Sequence, residues 1–234
     1  FYSAGLGLMI DLVFRSLAEI IPDKVIAGQT DDSMNVLFVG RHPKDGSHYA
    51  TGEATAIGWG ASSSQDGGNA MIDCMGGDLK NLPVETLEMK FPLRVLRYEL
   101  ASDAGGPGTH RGGLGVIKDY QILQPGTELT LWFERTDTPG WGLLGGMEGL
   151  SPVVVLNPST LREQKLTKIN HLVLDVGDVV SARTGGAGGY GPPSDRDPQL
   201  VLDDVVDGYI SREAAETDYG VLLSSIMKQE SVCD

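Results

Sequence analysis

The sequence predicts an α+β fold rich in strand: a mainly antiparallel sheet or sandwich with an N-terminal helix and C-terminal helices. Three observations point there. Apolar residues recur at helical spacing near the start, short apolar runs separated by turn dipeptides fill residues 36–183, and two segments with helix-capping residues follow.

Taken in order, Ile10, Val13, Phe14, Leu17 and Ile21 share one helical face, with Asp11, Arg15, Ser16 and Glu19 on the other. An amphipathic helix is therefore expected to about Ile21, where Pro22 stops it. Residues 36–39 and 48–57 flank Asp45-Gly46 and read as a hairpin. Residues 62–69 are small and polar and read as a loop. Asn81 and Pro83 open a short helical turn that puts Glu85 and Glu88 on one face before Pro92.

Strands are expected at 93–100, 116–123, 128–134, 152–156 and 171–183, with turns at Pro125-Gly126, Gly145-Gly146 and Val176-Gly177-Asp178. Residues 199–207 read as a helix ended by Gly208. Ser211 reads as the N-cap of a last helix that ends near Tyr219-Gly220. This suggests three parts: an α/β part over 1–90, a β-rich domain over 91–197 and a helical tail over 198–234.

At 234 residues the chain is long enough to bury a core. Its net charge of −14, without a Lys/Arg cluster, repels nucleic acid and anionic membrane surfaces. Cys74 and Cys233 form neither a CxxC pair nor a disulfide framework, which favours a reducing compartment and a cytoplasmic location. The opening stretch has no basic region and is interrupted by Asp11, so neither a signal peptide nor a membrane span is expected. The first residue is Phe1 rather than Met, which reads as a fragment or processed piece.

Two glycine-dense segments stand out, DAGGPGTHRGGLG from Asp103 and TGGAGGYGPP from Thr184. Glycine is unfavourable inside strands and useful where backbone must approach something closely, so both read as shaped loops. Residues 186–191 match G-x-G-x-x-G, but Pro192-Pro193 follows where a dinucleotide site needs a helix. No Gly-Lys-Ser/Thr phosphate loop occurs, so any ATP is expected on another polypeptide. A tight connecting loop is the favoured reading of 184–193 over direct ligand contact.

His42, Asp45, His48 and Glu53 form the one local group that imitates a metal site, and histidines flanking a solvated turn account for it better. Asp103 and Arg111, with His110 between them, offer an acid and a cation on one segment. Arg111 can clamp a carboxylate or carbonyl oxygen with Asp103 orienting it, or the two can pin the loop. Glu85 and Glu88 are either an acid/base pair or a solvated helix face. Trp132, Phe133 and Trp141 read as core and corner packing rather than a ligand platform.

The string GGNAMIDCMGGDLKNLPVETLEMKFPLRVLRYELASDAGGPGTHRGGLGVIKDY resembles the B-type pattern of the hydantoinase B/oxoprolinase family. The likeness continues through Trp141-Gly142-Leu143, VVVLNP and VGDVVSARTGGAGGYGPPSDRDPQLVLDDVVDGYISREAAETDYGV, and so covers nearly the whole chain. Two departures stand beside it: GGDLKNLPVE replaces a Thr-Asn-Thr pattern, and Ser102-Asp103-Ala104 replaces Pro-Asp-Ser.

The resemblance is to the C-terminal portion of a B-type subunit. It implies a complex in which an A-type subunit uses ATP and Mg to phosphorylate the substrate oxygen while the B-type subunit completes hydrolysis or carboxylation. A divalent metal is expected in the N-terminal half of the B-type subunit, and none on this chain. Three roles follow: part of an ATP-dependent cyclic-amide hydrolase, part of an acetone/acetophenone-type carboxylase, or a non-catalytic scaffold of such a complex. Carried over by motif, Glu53, Asp66, Asn81, Glu85, Asp103, Gly105, Gly106, Arg111, Gly112 and Gly113 match family positions; Asp103, Arg111, Glu53 and Asp66 are the catalytic candidates, and Gly105, Gly106, Gly112 and Gly113, with His110 from the same segment, the substrate-binding ones. Glycine-rich loops around a pocket are the expected architecture.

Overall fold

The computed structural model describes residues 4–30, 33–74, 76–77 and 80–222; Phe1, Cys233 and the end of the expected helical tail lie outside them. Sequence order runs α1 (Ala4–Leu17), β1 (Asn35–Arg41), β2 (His48–Ala54), α2 (Val84–Lys90), β3 (Leu93–Leu100), β4 (Val116–Ile122) and β5 (Thr127–Trp132). It continues with β6 (Val153–Leu156), β7 (Gln164–Leu166), β8 (Ile169–Leu174), β9 (Val179–Arg183), α3 (Pro198–Val206) and α4 (Arg212–Thr217). The expected α+β sandwich is what forms. One sheet has the order β2-β1-β5-β8, the other β3-β4-β9-β6-β7, and the pairings between these strands are antiparallel.

Alternation sets the register. In β1, Val36 and Phe38 point inward opposite Leu131 and Leu129 of β5. The other sheet answers with Tyr120, Ile122, Val154, Leu156, Val180 and Ala182 in the same core. Each large side chain removed from water here contributes about 1.5–3 kcal/mol, and a one-residue slip would turn all of a strand's apolar groups outward. The first sheet joins β1 and β2 to β5 and β8, so its hydrogen bonds cross the boundary expected at residue 90.

Turn chemistry places the ends. Gly46, Gly126, Gly145, Gly177 and Gly208 all take positive φ. Ser211 caps α4 by accepting from the Ala214 amide at 3.1 Å, and Asp197 caps α3 through the Gln199 amide.

The N-terminal helix departs from expectation. It ends at Leu17, leaving Ile20 77% exposed; Phe14 and Leu17 of the expected face do pack inward, but they do so beside Gly7, Asp11 and Ala18, and Val13 does not join them. Asp11 faces inward because Trp141 Nε1 donates to it at 2.9 Å and Arg135 pairs with it. Small Gly7 and Ala18 let the helix approach, and Val13 is left 56% exposed. Among the described residues no helix is long and apolar enough to cross a membrane.

Candidate functional site

The two glycine segments pack on each other. A Cβ on Gly112 would lie 1.9 Å from the Ala187 carbonyl oxygen, and one on Gly186 would lie 1.8 Å from that of Ala104. Gly188 meets Trp141, Gly60 meets Ala27 and Gly67 meets Trp59 in the same way. The amide of Gly106 donates to Ala187, that of Ala187 to Gly113 and that of Gly113 to Trp59. Close approach of one backbone to another is therefore what the glycines permit, so Gly105, Gly106, Gly112 and Gly113 are buried in a hub of crossing loops. Residues 184–191 form the connecting loop that was expected, running from β9 towards α3.

Beside this hub lies an ionic cluster. Arg196 donates to both carboxylate oxygens of Asp66 at 2.7 Å each and to Asp204 at 2.8 Å. Arg111 reaches Asp204 at 3.4 Å, Asn69 at 3.2 Å and the Gly112 carbonyl at 2.8 Å, and stacks over the Tyr209 ring. The Arg111 side chain is 3% exposed and that of Arg196 1%. Burial alone would raise the Asp66 carboxyl, but hydrogen bonds and charge from Arg196, then from Arg111, outweigh it and hold it below the usual carboxylate range. Burial likewise disfavours a charged Arg196, and Asp66 and Asp204 more than reverse this, so its guanidinium stays protonated. The Tyr219 hydroxyl has no hydrogen-bond partner among the described residues, and burial is the main reason it is pushed up to about 12.

Sequence reasoning singled out Asp66 and Arg111 here but missed Arg196, Asp204 and Asn69. Arg196 stands in "DRDP", a charged loop with no periodicity to mark it as buried. Asp103 is not the partner of Arg111. It takes φ +61 and accepts from the Ser211 amide at 2.7 Å, tying the first glycine segment to the start of α4. With Gly105 it lines a cavity of about 180 Å³ that also touches Glu148, Ile210 and Tyr219. His110 stands at the outer side of the cluster, its Nδ1 3.8 Å from Asp66 and its side chain 25% exposed.

Glu53 belongs to a second cluster. It sits on β2, its Oε2 pairs with Lys118 of β4 and accepts from Tyr120 at 3.2 Å, and its Oε1 accepts from the Leu82 amide at 3.0 Å. Lys118 is 1% exposed and lies over the rings of Tyr98 and Tyr120, so this pair bridges the two sheets at one end of the sandwich. Burial, and then the charge of Glu53, push the Tyr120 hydroxyl well above its ordinary value, so it remains a donor. The sequence marked Glu53 but not Lys118, because a lysine inside a strand reads as solvent-facing. Glu53 also lines a cleft of about 460 Å³.

Other expected groupings resolve differently. Glu53 is taken up by Lys118 while Asp45 binds Ser47 across the exposed turn and His42 stacks on Phe91, so the four metal-like residues are not brought together. Glu85 and Glu88 are exposed, and Glu88 accepts from the Val95 amide, which corresponds to the solvated face and not to an acid/base pair. Phe133 and Trp141 are buried as core packing, whereas Trp132 is 46% exposed. Among the described residues no three His, Cys, Asp or Glu side chains are placed to hold a metal ion.

Comparison with known proteins matches this architecture. The family description "Hydantoinase B/oxoprolinase" covers residues 3–193. An uncharacterized protein of Methanocaldococcus jannaschii is 34% identical over 91% of this chain and 36% of its own length. The B component of a putative D-/L-hydantoinase from a Pseudomonas species is 29% identical over 92% of this chain and 36% of its own length. The crystal structure of ATP-dependent caprolactamase from Pseudomonas jessenii superposes with a TM-score of 0.77 at 26% identity, over 89% of this chain and 37% of that one. Nucleotide-free acetone carboxylase shares the fold at a TM-score of 0.77 and 21% identity, over 90% of this chain and 33% of that one. The chain spans about a third of the length of these relatives. With most of its residues matched and its sandwich shared, the chain belongs to the hydantoinase B/oxoprolinase family.

Proposed function

We propose that this chain is the C-terminal part of the B-type subunit of an ATP-dependent cyclic-amide hydrolase. In this reading an A-type partner binds ATP and Mg and transfers the γ-phosphate to the substrate's carbonyl oxygen; in the B-type subunit water then adds to that carbon, the ring C–N bond breaks with protonation of the nitrogen and inorganic phosphate leaves, and a divalent metal held in the N-terminal half would supply activation of the water. The observation that carries it is a sequence match over about nine-tenths of the chain to a putative hydantoinase component and to a caprolactamase, names that both denote cyclic amides. At 21% identity the likeness to the acetone carboxylase structure is one of fold.

Within that complex the chain's residues divide by what their atoms already hold. Arg111, Asp103 and Glu53 are committed to Asp204, Ser211 and Lys118 and act as positioning residues. His110, partly exposed with an ionised Asp66 3.8 Å away, is the group to which this reading gives substrate contact and proton transfer.

The test is turnover by the full-length B-type protein assembled with its ATP-binding partner. ATP-dependent ring opening of hydantoin, caprolactam or 5-oxoproline is expected, with no carboxylation of acetone or acetophenone by bicarbonate. His110→Ala should lower kcat at unchanged KM. Carboxylation without ring opening, or ring opening without nucleotide, would overturn the assignment.

A further inference from the structure

We infer that the cleft between β2 and α2 binds a small organic anion with an apolar body, such as a short-chain carboxylate. It is lined by Glu53, Lys80, Asn81, Leu82, Lys90 and Phe91, with the backbone of residues 51–54, and encloses about 460 Å³. That is ample for a ligand of several carbon atoms.

Charge is the first argument. The chain carries −14 overall, and most of its buried cations are matched by acids. Lys80 and Lys90 have no ion-pair partner among the described residues, yet both line this cleft. Glu53, the acid on the wall, does not cancel them. Its two oxygens are occupied by Lys118, Tyr120 and the Leu82 amide, and Lys118 neutralises its charge from behind. The cleft therefore presents two ammonium groups, unpaired among the described residues, around a neutralised wall.

The sheet edge is the second argument. The Thr55 amide donates to Met34, which fixes the alternation of β2 so that residues 50, 52 and 54 turn their backbone groups away from β1. Asn81 caps the outward carbonyl of Ala54 at 3.1 Å, in keeping with that direction. Gly52 has its N–H on the same side, next to the lysines and uncovered by any side chain of its own. A carboxylate held by Lys80 and Lys90 has this amide as a third donor, and Leu82 and Phe91 supply an apolar wall for the rest of the molecule. This site is separate from the loop hub, and its occupancy is independent of the catalytic reading above.

Ligand-observed NMR on the 234-residue chain tests it with pentanoate, its neutral isostere pentanamide, and inorganic phosphate. Saturable pentanoate binding is expected, about fivefold or more weaker for pentanamide and for the Lys80→Gln/Lys90→Gln variant, and weakened by added salt. Lys44→Gln, in the neighbouring cleft on the other side of Phe91, should leave binding unchanged. Equal binding of pentanamide, equal displacement by phosphate at the same concentration, unchanged binding by the double lysine variant, or no saturable binding would each overturn the inference. Both lysines are exposed, so the variants keep the fold, and an unaltered circular dichroism spectrum verifies this.

Discussion

Arg196 grips Asp66 across 130 residues of sequence, one guanidinium nitrogen on each carboxylate oxygen at 2.7 Å. The first glycine segment hangs from this pair, because the Arg111 amide donates to the same Asp66 oxygen. Asp204, on α3, joins Arg196 to Arg111 and so fastens the C-terminal helices to the hub. Removing Arg196 strips Asp66 of its side-chain cation and leaves the buried Asp204 only the 3.4 Å contact to Arg111. Arg196→Met is expected to lower stability by about 3–5 kcal/mol in urea denaturation. Arg196→Lys should recover little of that, since an ammonium cannot serve both oxygens and Asp204 from one plane.

The Glu53–Lys118 pair behaves differently from its halves. Glu53→Gln or Lys118→Met alone is expected to cost about 3–5 kcal/mol, because each leaves one charge buried between the sheets. The double substitution removes both charges and should fall well short of the sum. A double-mutant cycle measured by chemical denaturation checks this, and strict additivity would show that the two groups do not interact.

Acid and alkaline limits follow from Asp66 and Tyr219. The folded Asp66 carboxyl is depressed, so its contribution is fully present above the unfolded value of about 3.9 and is lost as pH falls through the lower folded value. Asp66→Asn should therefore flatten the acid side of the stability–pH curve. Tyr219 is raised to about 12, so its contribution is present below the unfolded value near 10 and disappears as pH rises towards 12. Tyr219→Phe should remove that alkaline loss. At neutral pH it should be neutral or stabilising by up to about 1 kcal/mol, since the buried hydroxyl it deletes has no hydrogen-bond partner among the described residues.

The strands and caps were legible because their signals are local. Val36 and Phe38 alternate, Gly208 stops α3, and Ser211 caps α4 with its own side chain. What stayed hidden was the pairing of charges across long sequence gaps. Asp11 reads as solvent-facing until Trp141 and Arg135 arrive, and Lys118 reads as exposed until Glu53 does. Family resemblance marked Asp66, Asp103 and Arg111, and the structure shows what each holds: Arg196, Ser211 and Asp204.

Glycine substitutions separate close approach from turn geometry. At Gly112 an added Cβ would stand 1.9 Å from the Ala187 carbonyl oxygen, with the Gly188 backbone 2.9 Å away, and neither neighbour is the flexible end of a side chain. The hub loops would have to separate, breaking the Ala187 to Gly113 hydrogen bond and loosening the shell around Arg111. Gly112→Ala is therefore expected to yield no cooperative unfolding transition at 25 °C. Gly46 takes φ +72 at the tip of the first hairpin with nothing near its missing Cβ. Gly46→Ala should cost only about 1–2 kcal/mol, the strain of a left-handed alanine, with the sandwich intact. Equal losses at the two positions, read from thermal unfolding, would mean that the glycines serve turn conformation alone and that the hub tolerates expansion.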